Sequence, residues 1–183
     1  SLAVQGSVTA DSVYLGGGQY GHGSIDMNGG SIVVSNNTII GDIATGIMTM
    51  TNGAALTTGD LDIASAGGST GDLTLDGTSS VSTGSLTVGN GQYSDSGTPG
   101  DPSDDWGINA PAYGTLTING GTVTAADAYI GGNQNLGNGT VAVNGGGSLD
   151  VTQRLEVGQQ GAGTLSINAG SSVSAGNGMS IAN

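Results

Sequence analysis

The sequence contains no Cys and no Phe, three Pro, one Trp and a single basic side chain, Arg154, in 183 residues. Without Cys there is no disulfide and no thiolate metal site, although that alone does not fix a compartment. One cation against 14 acidic residues leaves a net charge of −13. A chain so charged cannot neutralise a run of phosphates or bind an anionic membrane surface, so nucleic acid and membranes are set aside as partners. No apolar run approaches the ~20 residues that span a bilayer, which excludes membrane insertion by a helix. No basic stretch followed by an apolar one marks a signal segment, and the absence of an initial Met is what a mature form or a fragment would give.

What the chain does have is glycine, 38 residues of it. Collagen is excluded because there is no Gly-X-Y period and little Pro. Disorder is excluded because charged residues make up only 8% and hydrophobic ones 35%, with Val, Ile and Thr frequent, the opposite of a disordered composition. The length suits one domain or one repeat array.

Internal self-similarity decides between these. Units open with Gly, a small or apolar residue and an apolar-x-apolar triplet: GSIDM from Gly23, GIMTM from Gly46, GDLTL from Gly71, GTLTI from Gly114, GTVAV from Gly139 and GTLSI from Gly163. The opening stretch SLAVQGSVTADSVYLG fits the same template with Ser1 at the second position, so seven units are counted, the first incomplete. The period is about 24 residues.

Each unit holds three short segments of strand character. The first pairs apolar residues across one small or polar residue, as in Leu73/Leu75, Leu116/Ile118, Val141/Val143 and Leu165/Ile167, the period-two signature of a half-buried strand. Asn-Gly or Asp-Gly follows in five units, at Asn28, Asn52, Asp76, Asn119 and Asn144, because these residues tolerate the left-handed backbone of a corner. The second segment has one central apolar residue, and the third is again apolar-x-apolar before Gly or Ala, as in Leu86/Val88-Gly89. An antiparallel sandwich would also use Asn-Gly turns, but it does not require a fixed phase along the whole chain. The expected fold is therefore all-β, a right-handed parallel β-solenoid of about seven coils with three short strands per coil. Its rod length is roughly 34 Å at ~4.8 Å per coil. Leu75, Ile118, Val143 and Ile167 are expected to form one inward core column.

One segment interrupts the repeat. Gly91 to Tyr113 carries every Pro (Pro99, Pro102, Pro111), the only Trp and Asp95, Asp101, Asp104 and Asp105. It is expected to protrude as an inserted loop at one corner of the single solenoid domain 1–183, where repeat proteins accept insertions.

Units such as GTLTINGGTVTAADAYIGG and GTVAVNGGGSLDVTQRLEVGQQGAGTLSI resemble the Gly-rich β-solenoid repeats of secreted bacterial surface proteins, among them autotransporter passenger regions and adhesin-like cell-envelope proteins. The resemblance covers nearly all of the chain outside Gly91 to Tyr113. It implies secretion to the bacterial exterior or cell surface and a role as stalk, adhesin or surface layer. It carries over no catalytic residue, since the repeat motif contains none.

Asp101, Asp104 and Asp105 form the densest acidic cluster, and carboxylate oxygens in a bent loop suit Ca²⁺. Their spacing matches no defined calcium motif, and a solvated turn-rich loop is the competing reading. Tyr93, Trp106 and Tyr113 could stack on a surface polysaccharide or a neighbouring subunit, or pin the loop to its own solenoid wall. His22 has no second His or Cys to share a metal with and reads as a solvated corner residue. An enzyme is not expected: lyase chemistry on uronates leans on basic residues, of which only Arg154 exists. The outward third-segment row (Tyr14, Ile39, Asp62, Thr87, Tyr129, Glu156, Ser180) gathers no pair of carboxylates for hydrolysis. The second segment's Ser and Thr (Ser80/Ser82, Thr122/Thr124, Ser172/Ser174) raise an ice-binding reading, which Asp150 and Val33 interrupt. The expected function is structural, a subunit that polymerises head to tail through its end coils, which carry no visible cap; the chain's start and stop fall almost in phase. The alternative is an adhesin or carbohydrate-binding stalk module of a larger secreted protein.

Overall fold

The computed structural model describes residues 1–18, 20–91, 110–132 and 136–182. Alternating apolar and small residues make strands throughout, and the described residues contain no helix. In chain order the first coil comprises β1 (Leu2–Val4), β2 (Ser7–Ala10) and β3 (Val13–Leu15), and the second β4 (His22–Asn28), β5 (Ser31–Val34) and β6 (Asn37–Ile40). The third is β7 (Thr45–Thr51) and β8 (Ala55–Ile63), the fourth β9 (Thr70–Asp76) and β10 (Ser80–Val88), and the fifth β11 (Ala112–Asn119) and β12 (Thr122–Ile130). The sixth is β13 (Gly137–Asn144), β14 (Ser148–Val151) and β15 (Leu155–Val157), and the seventh β16 (Ala162–Ile167), β17 (Ser172–Ala175) and β18 (Met179–Ile181).

Every strand pairs in parallel with its counterpart one coil away. The first segments form a 7-stranded sheet in the order β1-β4-β7-β9-β11-β13-β16, and the second and third segments form the other sheet. This is a parallel β-solenoid. It differs from three separate strands per coil in one respect: in the third, fourth and fifth coils the second and third segments fuse into single strands of 9 residues. Corner length explains this. Two residues, Gly59 and Asp60, join the inward Thr58 and Leu61, and the next coil turns with two as well, so pairing runs through the bend; Ser35, Asn36 and Asn37 in the second coil add a third residue and break it, and they break it for the first coil too, although only Asp11 and Ser12 turn that corner.

The register builds continuous inward columns. Leu2, Ile25, Met48, Leu73, Leu116, Val141 and Leu165 stack in one, and Val4, Met27, Met50, Leu75, Ile118, Val143 and Ile167 in the next. Leu75, Ile118 and Val143 are completely buried. Ile167 shares their column but is 49% exposed, so it is not core: in the last coil no further rung covers it. Where the lumen bends, three threonines replace aliphatic residues. Thr38 donates to Thr58 at 3.1 Å, and Thr58 and Thr83 donate to the backbone oxygens of Asp60 and Ser85 at 3.0 and 2.8 Å, which offsets the cost of burying hydroxyls.

The repeat's leading glycines also stack, from Gly23 through Gly46, Gly71, Gly114 and Gly139 to Gly163. A methyl on Gly139 would overlap the Val88 oxygen and the Gly131 nitrogen. This is where the end of the third segment passes against the first sheet backbone to backbone, so the walls meet here without side chains between them.

Candidate functional site

The described chain has two faces unlike its sides: the outer edges of the first and last coils. Internal strands have neighbours on both edges, whereas β1, β2 and β3 at one end and β16, β17 and β18 at the other have a neighbour on one side only. Unpaired strand edges are templates for a further strand. Their inward residues are bared with them. Met179 and Ile181 are 45% and 70% exposed and Leu2 47%, although the same columns are sealed within the rod. Neither end presents a helix or a cationic edge residue among the described residues.

The two edges are alike in residue chemistry. From the register, the last coil offers Leu165, Ile167, Val173, Ala175, Met179 and Ile181, and the first offers Leu2, Val4, Val8, Ala10, Val13 and Leu15 in the same six columns. The corner after the first segment repeats this match. Asn144 Nδ2 donates to Asn119 Oδ1 at 3.0 Å, and Asn119 Nδ2 donates to Asp76 Oδ1 at 2.9 Å. Asn168 Nδ2 in turn donates to Asn144 Oδ1. The amide ladder is directional, each rung donating toward the first coil, and it stops at Asp76 because a carboxylate has no proton to pass on. Asn52 Nδ2 donating to Asn28 Oδ1 at 2.5 Å forms a second, shorter ladder. The Asn-Gly spacing pointed to corners and not to this ladder, whose direction depends on stacking that only the register reveals.

On the side wall, the outward third-segment row forms as a continuous column from Tyr14 to Ser180. Arg154 gathers part of it. Its Nη1 lies 2.9 Å from Glu156 Oε1, its Nη2 donates to Tyr129 Oη at 2.7 Å, and its guanidinium sits 5.4 Å from the Tyr129 ring centre. Tyr129, Glu156 and nearby Asp127 hold the Arg154 pKa above its ordinary value, the Tyr129 hydrogen bond contributing most. The chain's only basic side chain is thus committed to an intramolecular cluster. Two rungs from Tyr129, burial pushes Asp62 up to about 6, with the Thr87 hydroxyl opposing and Asp60 and Asp42 reinforcing the shift. Asp62 and Glu156 sit three rungs apart in the column, far from the convergence a hydrolase needs.

Asp101, Asp104, Asp105, Tyr93 and Trp106 lie outside the described residues. Tyr113 stands on β11, half exposed and in register with Thr70 and Asn138. His22 opens β4 and is exposed beside a shallow hollow of about 270 Å³ lined by Tyr20, Ile43, Ala44 and Thr45. Among the described residues no three His, Asp or Glu side chains are placed to share a metal ion.

Fold and ends together define a parallel β-solenoid with open terminal rungs. Compared with known proteins, the chain matches no family model, no curated protein and no solved structure.

Proposed function

We propose that the protein is a structural subunit that stacks head to tail, the last coil of one copy pairing with the first coil of the next, to build an extracellular filament or sheath. The observation that carries this reading is the match between the end coils. Six apolar columns meet six apolar columns in one register. The corner ladder extends in the same sense, since Gln5 follows Val4 at the position in line with Asn28 and brings an amide donor to the open Asn168 Oδ1. Such a contact is heterologous and does not close, so it propagates by strand addition. The Gly-rich repeats, similar to those of secreted bacterial surface proteins, support the extracellular setting. The open rungs equally fit a second reading, in which they continue into further coils of a longer stalk or adhesin.

The chain's lack of Cys makes the joint easy to test. Ala3 and Ser166 occupy one outward column. An in-register joint therefore places them ~4.8 Å apart, within disulfide reach. Oxidised Ala3→Cys/Ser166→Cys protein should run as a ladder of covalent multimers, and electron microscopy should show rods longer than one subunit. The Ala3→Cys/Thr164→Cys pair, displaced by one strand repeat to roughly 8 Å, should not cross-link. Discrete single particles at high concentration and no multimers from the first pair would sink the filament reading.

A further inference from the structure

We propose that Asp11 restrains the head-to-tail joint, so that subunit addition is gated at one corner; this rests on the stacking reading above. The corner in question joins the second segment to the third. It has two residues in the first, third, fourth and fifth coils and three in the second, sixth and seventh, at 35–37, 152–154 and 176–178. Each corner stacks on that of the coil before it: Asn36 N donates to Asp11 O, and Asp60 N to Asn36 O, both at 2.9 Å.

The length of one corner decides what the next coil can place on it. Where the earlier corner has three residues, the next corner opens with glycine in both internal cases, Gly59 and Gly176. A methyl on Gly59 would overlap the Asn36 oxygen, and one on Gly176 the Thr152 oxygen. Neither glycine has a positive φ, so the demand is for space and not for backbone freedom. Where the earlier corner has two residues, the corresponding positions are Ser35, Gly84, Ala126 and Thr152. Three of these carry side chains, and at Gly84 an added Cβ would stand 2.8 Å from the Gly59 oxygen, a looser fit than at either other glycine.

The joint departs from this pattern. The last coil ends on a three-residue corner, 176–178, and an in-register neighbour would open its own corner there with Asp11. Asp11 thus brings a Cβ and a carboxylate to a position that is glycine at both matching steps inside the rod. Its charge meets backbone carbonyls with no cation to offset them. Residues 162–183 contain no charged side chain, and Arg154 is turned toward Tyr129 and Glu156. A single acidic side chain on an otherwise apolar strand edge is a means by which proteins discourage uncontrolled strand addition. The six apolar columns favour the joint and this one corner opposes it, which sets the concentration at which rods lengthen.

The test is a concentration series followed by sedimentation and electron microscopy, comparing wild type with Asp11→Gly and Asp11→Asn. Asp11→Gly should lower the concentration at which rods exceed one subunit by about tenfold or more, the relief expected from removing one overpacked contact. Asp11→Asn, which keeps the bulk and loses the charge, should recover only part of that. Gly59→Ala sets up the same crowded step inside one rod and should lower the melting temperature of the single chain. Wild type assembling as readily as Asp11→Gly would overturn the proposal while leaving the stacking reading intact. An Asn variant equal to the Gly variant, or a Gly59→Ala chain that melts unchanged, would overturn the argument from corner length. Single particles from wild type and Asp11→Gly alike at every concentration would remove the stacking reading and the gate with it.

Discussion

Ile118 and Thr117 are adjacent in the chain and belong to different environments, one completely buried in the lumen and the other on the outer wall of β11. Ile118→Asp would strand a carboxylate among Leu75, Val143 and their neighbours, at a cost of several kcal/mol. Thr117→Asp should cost little, and thermal melts followed by circular dichroism should separate the two clearly; similar losses would mean that the assigned coil phase is wrong. Asp62 offers a second measurement. Its carboxyl titrates near 6, above the 3.8 of an ordinary aspartate, so the folded state holds this proton more tightly than the unfolded state. Its contribution to stability is therefore fully present below about pH 4 and is lost as pH rises through 6. Asp62→Asn should match wild type in acid and exceed it by roughly 1–2 kcal/mol at neutral pH, after allowance for partial solvent screening. Urea titrations across pH 4 to 7 would show the two stabilities diverging; parallel curves would remove Asp62 as the cause.

Glycines that look equivalent in the repeat do different work once the strands are stacked. Gly139 lies where the walls meet and has backbone atoms where a methyl would go, while Gly6 has nothing within 4 Å and no positive φ. Gly139→Ala should therefore cost about 1–3 kcal/mol as overpacking. Gly6→Ala should be neutral or gain a few tenths of a kcal/mol by restricting the unfolded chain, and chemical denaturation of the pair checks both. The strands themselves were legible because Leu116/Ile118 and their counterparts alternate with a strict period of two and fall at a constant phase. The fused strands β8, β10 and β12 were not legible, since fusion depends on whether a coil and its neighbour both turn the corner with two residues, a difference too small to read without coordinates. The buried Thr38, Thr58 and Thr83 were missed for a related reason. Thr58 and Thr83 satisfy their hydroxyls on local backbone and Thr38 on the Thr58 hydroxyl, and so each substitutes for an aliphatic residue without leaving a polarity signal in the pattern.

At the scale of the whole chain, each coil touches mainly the coils before and after it, so stability accumulates interface by interface. Gly139 and Gly163 are in register, and excising residues 139–162 would put the seventh coil where the sixth stood without disturbing any column. The shortened chain should fold, with the strand signature in circular dichroism retained and a lower melting temperature; an unfolded product would contradict this nearest-neighbour picture. The candidate end surfaces were half legible in the sequence: first and last repeats that keep the motif pointed to them, but the exposure of Ile167, Met179 and Ile181 emerged only once the coils were stacked. The strands run across the rod, so their hydrogen bonds point along it, and that orientation decides how a filament of these subunits would carry tension. The bonds within one interface share the load in parallel, while successive interfaces bear it in series, so the weakest interface sets the strength of the whole. Within a subunit the corners join neighbouring coils covalently, and between copies only hydrogen bonds and apolar contact remain. Stretched fibres should therefore fail at the junctions and release whole subunits, with fragment lengths in integer multiples of a single rod.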